Sequence, residues 1–161
     1  MDTDAICEDR PCSVAYEAAT LGTLYWRAGQ LDLAEPLLRQ TADADAQARA
    51  DLGHLLLATG RRNEAVQEWG KGVVDSQPES MVPLANLLSR EGDQAHAADP
   101  YERAYELGDP HAALNLALDL YSDERLPDAL SWARRASERG DEQAKAWLPA
   151  LEEEMGGGKP R

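Results

Sequence analysis

Asp51-Leu52-Gly53-His54-Leu55-Leu56-Leu57-Ala58-Thr59-Gly60 sets leucines at i, i+3 and i+4 (Leu52, Leu55, Leu56) and then stops on a glycine. That spacing is the apolar stripe of an α-helix, and glycine accepts the left-handed conformation in which helices commonly end. The phrase recurs along the chain. Leu21-Gly22 stands 31 residues earlier, within Ala19–Gly29. Leu84-Ala85 stands 32 residues later, within Pro83–Gly92, and Leu116-Ala117 another 32 on, within Asn115–Glu124.

Further columns keep this period. Gly29, Gly60 and Gly92 each close the first segment, and Ala34, Ala65, Ala97 and Ala129 follow at a fixed distance, the last measured from Glu124, where the glycine is missing. Leu38, Trp69 and Tyr101 supply a bulky residue four positions after that alanine, and in the fourth unit Trp132 comes one position early, with Ala133 in the column. Ala104 and Ala136 are each followed by Gly-Asp, at Gly108-Asp109 and Gly140-Asp141. Each unit therefore reads as two helices. Close-packed helices need Gly or Ala where their backbones approach, and the facing bulky residue fills the space so created. A single unit cannot bury its own stripe, so the units must stack.

Start signals agree with this division. Asp109-Pro110 sets an N-cap before an N1 proline, Ser76 with Glu79 has capping-box spacing, and Leu126-Pro127-Asp128 opens a second helix. Pro100 falls inside an expected helix, where the missing donor predicts a kink or a late start at Asp99. A glycine or proline break every dozen residues or so rules out the long heptads of a coiled coil.

These units resemble tetratricopeptide (TPR) repeats, and the later ones resemble the Sel1-like variety, most closely at Ala129-Leu130-Ser131-Trp132-Ala133-Arg134-Arg135-Ala136-Ser137-Glu138-Arg139-Gly140-Asp141. The resemblance covers about residues 13 to 150. It implies an all-α fold: a right-handed α-solenoid of about four TPR/Sel1-like helix-turn-helix repeats with a C-terminal capping helix. The expected division is a flexible acidic leader over residues 1–12, units at about 15–45, 46–77, 78–109 and 110–141, a capping helix over 142–154, and a flexible tail over 155–161.

Composition bounds the function. The chain has 161 residues, no Phe, and a net charge of −14 from 30 acidic and 16 basic side chains. That average field repels DNA and RNA and suits either a basic partner or simple solubility. The acidic N-terminus has no apolar stretch behind it and the densest apolar run, Leu55–Ala58, cannot span a bilayer, so the expected compartment is the cytoplasm. Cys7 and Cys12 lack the further ligands of a zinc site. His54, His96 and His111 fall in different units and columns, and no nucleophile or phosphate-loop motif is present, so neither catalysis nor a cofactor or metal is expected.

The resemblance implies a concave face, lined by the first helix of each pair, that receives an extended or helical peptide segment. Off the buried stripe lie Tyr16, Thr23, Trp26 and Arg27; then Gln47, Asp51, His54 and Leu57; then Asn86, Ser89 and Arg90; then His111, Asn115, Leu118 and Tyr121. By the same resemblance, Asn86 and Asn115 would hydrogen-bond a ligand's backbone, and Arg27 and Arg90 would hold a carboxylate. Val82 and Ala19 replace the basic residue of the family's carboxylate clamp, which argues against capture of a free C-terminus. Trp26 and Tyr121 are the expected exposed anchors, while Trp69, Trp132 and Trp147 are expected to pack between units. The functional expectation is a non-catalytic adaptor for a protein or peptide. The alternatives are a self-associating assembly protein, or an accessory or immunity-type partner of an enzyme or effector.

Overall fold

The computed structural model describes residues 10–109 and 111–157. Cys7 and the rest of the leader before Arg10, Pro110, and the tail from Gly158 lie outside the described residues, as does the side chain of Cys12. The described residues form α-helices and no strand: α1 (Arg10–Arg27), α2 (Leu31–Thr41), α3 (Ala46–Ala58), α4 (Arg62–Val74), α5 (Pro78–Arg90), α6 (Gln94–Glu106), α7 (Ala112–Ser122), α8 (Leu126–Glu138) and α9 (Glu142–Gly156). Consecutive helices pair as hairpins, giving the all-α, solenoid-type repeat fold that the period implies. The chain divides into two compact units, Met1–Val74 and Asp75–Arg161. In the first, α3 packs on both α1 and α2; in the second, α7 packs on α6 and α5, and α9 closes against α8.

The small and bulky columns meet as expected. Leu38, Trp69 and Tyr101 are almost wholly buried, at 0%, 1% and 1% exposure. A Cβ on Gly53 would lie inside the Trp69 indole, 2.7 Å from Cδ1, and one on Gly22 would stand 3.0 Å from Leu38 Cδ2. The indole N–H of Trp69 donates to the Ala50 carbonyl at 3.2 Å, so the ring is both packed and hydrogen-bonded at the α3–α4 contact. Trp132 and Trp147 pack on the core where α7, α8 and α9 meet.

Four local expectations are corrected. Helix α1 begins at Arg10, so Arg10–Cys12 are helical rather than leader, and α9 continues past Glu154 to Gly156. Ser76 is not an N-cap. Its φ is +58°, and Gln77 caps α5 with Pro78 at the first position, because proline's fixed φ begins the helix there. Pro100 neither kinks α6 into a late start nor leaves Asp99 as a cap; α6 runs on from its Asp93 N-cap with Pro100 buried inside it. Proline supplies no N–H to the carbonyl of His96, an exposed residue, and its ring is buried in the core.

Candidate functional site

Taking each repeat's leucine (Leu21, Leu52, Leu84, Leu116) as reference, one polar contact recurs in both units at the same register. In the first unit the Thr23 hydroxyl, two positions after Leu21, donates to Asp51 Oδ2 at 2.6 Å, one position before Leu52. In the second, Asn115 Nδ2, one position before Leu116, donates to Asn86 Oδ1 at 3.3 Å, two positions after Leu84. Each contact therefore bridges the first helices of neighbouring repeats.

In the first unit Asp51 is 5% exposed, and Gln47 Nε2 also donates to it at 2.9 Å. His54 lies one turn on, edge-on to Trp69 at 5.1 Å. Partial burial of the ring lowers the imidazole below its ordinary 6.5, with the Asp51 carboxylate opposing. A groove of about 250 Å³ opens between α1 and the start of α3, lined among others by Tyr16, Thr20, Thr23, Arg27 and Gln47. Arg27 is exposed at its edge.

In the second unit Asn86 Oδ1 accepts twice, from the Tyr101 hydroxyl at 2.6 Å and from Asn115. That leaves Asn86 Nδ2 and Asn115 Oδ1 without a hydrogen-bond partner among the described residues. Both asparagines are half-buried and Arg90 is exposed at the end of α5. Burial, with the neighbouring Asp119 carboxylate, raises the Tyr101 phenol further above its usual 10, and Arg90 partly opposes this. The phenol is thus a fixed donor. Burial also raises Asp119, as does the Asp123 carboxylate, while Ser89 holds it down by a hydrogen bond. Asp93, Asp119 and Asp123, with Arg125, line a cleft of about 470 Å³ between the first turn of α6 and the end of α7.

The structure thus joins Asn86 to Asn115 and sets Arg90 near them, and it sorts the other expected residues differently. Trp26 is half-buried, on the α1 face that also holds the buried Ala19 and Gly22. Tyr121 is 39% exposed, as expected. Its ring stands edge-on to Trp147 at 5.3 Å and its hydroxyl donates to Glu154 Oε2 at 3.1 Å, which ties it to the closing helix α9. His111 precedes α7, and its Nδ1 lies 3.7 Å from Asp141 Oδ2. Asp119 and Tyr101 were not foreseen as parts of this cluster. The signal for Asp119 was its i, i+4 spacing from Asn115, which puts both on one face of α7.

Among the described residues no group of three His, Cys, Asp or Glu side chains could hold a metal ion, and no helix is long and apolar enough to cross a membrane. No protein-family model matches the chain, and no curated protein matches it in sequence. Solved structures do match. A crystal structure of MamA protein is 19% identical, with 88% of this chain and 82% of that one covered at a TM-score of 0.68. A second crystal structure of MamA gives 17% identity, 81% of each chain and 0.66. The structure titled MamA MSR-1 gives 16%, 88% of this chain, 87% of that chain and 0.62. At such identities the likeness extends to the fold alone.

Proposed function

We propose that the chain is a non-catalytic, cytoplasmic scaffold that holds a protein or peptide segment against the first helices of its repeats, centred on Asn86, Asn115 and Arg90. One observation carries this reading. The two amides are locked to each other and to Tyr101, yet Asn86 keeps its N–H donors and Asn115 its carbonyl acceptor, the donor and acceptor pair that complements a peptide backbone. Arg90 adds a planar donor for a carboxylate or carbonyl beside them. Helical-repeat folds of this kind most often serve assembly and protein interaction, and the likeness to MamA structures supports a scaffold of that general type. The net charge of −14 favours a basic partner and disfavours nucleic acid.

Asn86→Asp separates binding from folding. The carboxylate keeps both accepted hydrogen bonds and loses the free donors. Affinity capture from cell extract, wild type beside the variant and read by mass spectrometry, should recover a partner that Asn86→Asp loses by about tenfold or more in affinity, with unchanged helicity. Equal recovery by both proteins would sink the reading.

A further inference from the structure

Helix α1 presents a face that the other first helices keep buried. Leu21 is 42% exposed, whereas its column mates Leu52, Leu84 and Leu116 are 1%, 8% and 3% exposed. Val14 and Leu24 are 59% and 55% exposed on the same side. With Glu17 and with Ala28, in the turn just past the helix, they form the row Val14, Glu17, Leu21, Leu24 and Ala28, the alternating three- and four-residue spacing of a helix–helix seam. The opposite side of α1 is the packed one, where Ala19 and Gly22 are buried.

Charge says what covers this seam. Between Val14 and Ala28 the only charged residues are Glu17 and Arg27, so a segment of zero net charge sits in a chain of net charge −14. Both are exposed, and neither makes an ion pair among the described residues. The segment is complementary to itself. In an antiparallel pairing that sets Leu21 of one copy against Leu24 of the other, Glu17 falls opposite Ala28 and beside Arg27 of the second copy, and the two-fold axis makes that ion pair twice. A contact with the other end of the chain lacks this match, since the exposed surface of α9 carries Glu142, Glu152, Glu153 and Glu154 against the single cation Lys145, itself paired with Glu142. From this we infer that α1 is a homodimerisation helix, pairing antiparallel with α1 of a second copy through Leu21, Leu24 and the Ala28 that follows the helix, and through reciprocal Glu17–Arg27 ion pairs.

The inference is independent of the asparagine cluster and is tested on the full chain by sedimentation equilibrium across a concentration series. The wild type should rise from 17.6 kDa towards twice that mass. Leu21→Glu, at an exposed position, should raise the dissociation constant at least tenfold while leaving the circular dichroism spectrum and melting temperature unchanged. Glu17→Arg and Arg27→Glu should each weaken the dimer several-fold, and the double swap should recover it. A mass of 17.6 kDa at every concentration overturns the inference. So does association that Leu21→Glu leaves intact, or single swaps that the double swap fails to rescue.

Discussion

The two units place a polar bridge at the same register and build it from different chemistry. In Met1–Val74 the acceptor is a buried carboxylate, Asp51, held by Thr23 and Gln47. Nearby, Arg49 is 2% exposed and pairs with Asp43 and Glu68, and a chain of Arg39, Glu35, Arg61 and Glu64 joins α2 to the start and body of α4. In Asp75–Arg161 the bridge is neutral, amide to amide, backed by a phenol. Around it the second unit relies on rings: Tyr105 edge-on to Trp132 at 5.4 Å, Tyr121 edge-on to Trp147, Arg135 over Trp132 and Arg139 over Tyr105. Repeat geometry fixes where neighbouring helices must touch. It leaves open whether ions or neutral dipoles fill the contact, and that choice decides how each unit answers to substitution, pH and salt.

The largest contrast expected is steric. Leu-Gly in the first unit and Leu-Ala in the second occupy one column, but only Gly53 faces an indole. Gly53→Ala must displace Trp69, a ring fixed by its own hydrogen bond, and should destabilise the first unit by about 3 kcal/mol. The converse change in the second unit, Ala85→Gly, removes one buried methyl group and loosens the backbone, for about 1–2 kcal/mol. Urea unfolding followed by tryptophan fluorescence and circular dichroism measures both. A Gly53→Ala protein as stable as Ala85→Gly would show that the column spacing, not the Trp69 contact, sets the packing.

The next contrast is in pH response. The hydrogen bonds from Arg61, with those from Arg39 beside it, hold the Glu35 carboxyl down to about 2 against an ordinary 4.5, although partial burial opposes them. A carboxyl whose pKa is depressed by folding stabilises the fold above the unfolded value. It loses that contribution as pH falls through the folded value, so the window here runs from about 4.5 down to 2. With solvent screening of a partly exposed network, Glu35→Gln should cost on the order of 1 kcal/mol at neutral pH. The difference between wild type and variant should shrink towards zero as pH falls through that window. In the second unit the bridge joins two amides that do not ionise, so Asn115→Ala should cost a similar amount without the decline between 4.5 and 2. A Glu35→Gln difference that persists at pH 2 would mean that geometry, not ionisation, carries the contact.

How much of this was legible beforehand follows from what repeats and what does not. The columns Leu21/Leu52/Leu84/Leu116 and Leu38/Trp69/Tyr101 were readable because every unit must solve the same packing problem with the same small and bulky positions. The candidate site was readable only as far as membership of a face: Asn86, Asn115 and Arg90 were picked out by column, but their mutual contact was not. A hydrogen bond between Asn86 and Asn115 depends on how two helices 29 residues apart are offset, a distance of ångströms that periodicity leaves open. The contact of Tyr121 with α9 was hidden for the same reason. The column says which side of α7 it occupies, and nothing in the column says that α9 lies against that side. Ser76 was misread because Ser and Glu at capping-box spacing compete with Pro78 for the helix start, and the fixed φ of proline prevails.

The smallest effect expected lies where the repeat is broken. Gly29, Gly60 and Gly92 close the first helices with φ of +72°, +79° and +82°, and at the corresponding place in the fourth repeat Glu124 adopts φ of +61°. The backbone keeps the left-handed turn there although the side chain disfavours it. A non-glycine residue in that region is strained by about 1–2 kcal/mol, and glycine gives back about 0.5–1 kcal/mol through its freer unfolded chain. Glu124→Gly should therefore stabilise the second unit by roughly 0.5–1 kcal/mol, and Gly92→Ala should destabilise it by a similar amount. Thermal melts of the two variants check the pair. If Glu124→Gly lowers the melting temperature, the glutamate contributes something beyond its backbone, and the fourth turn is not the plain equivalent of the other three.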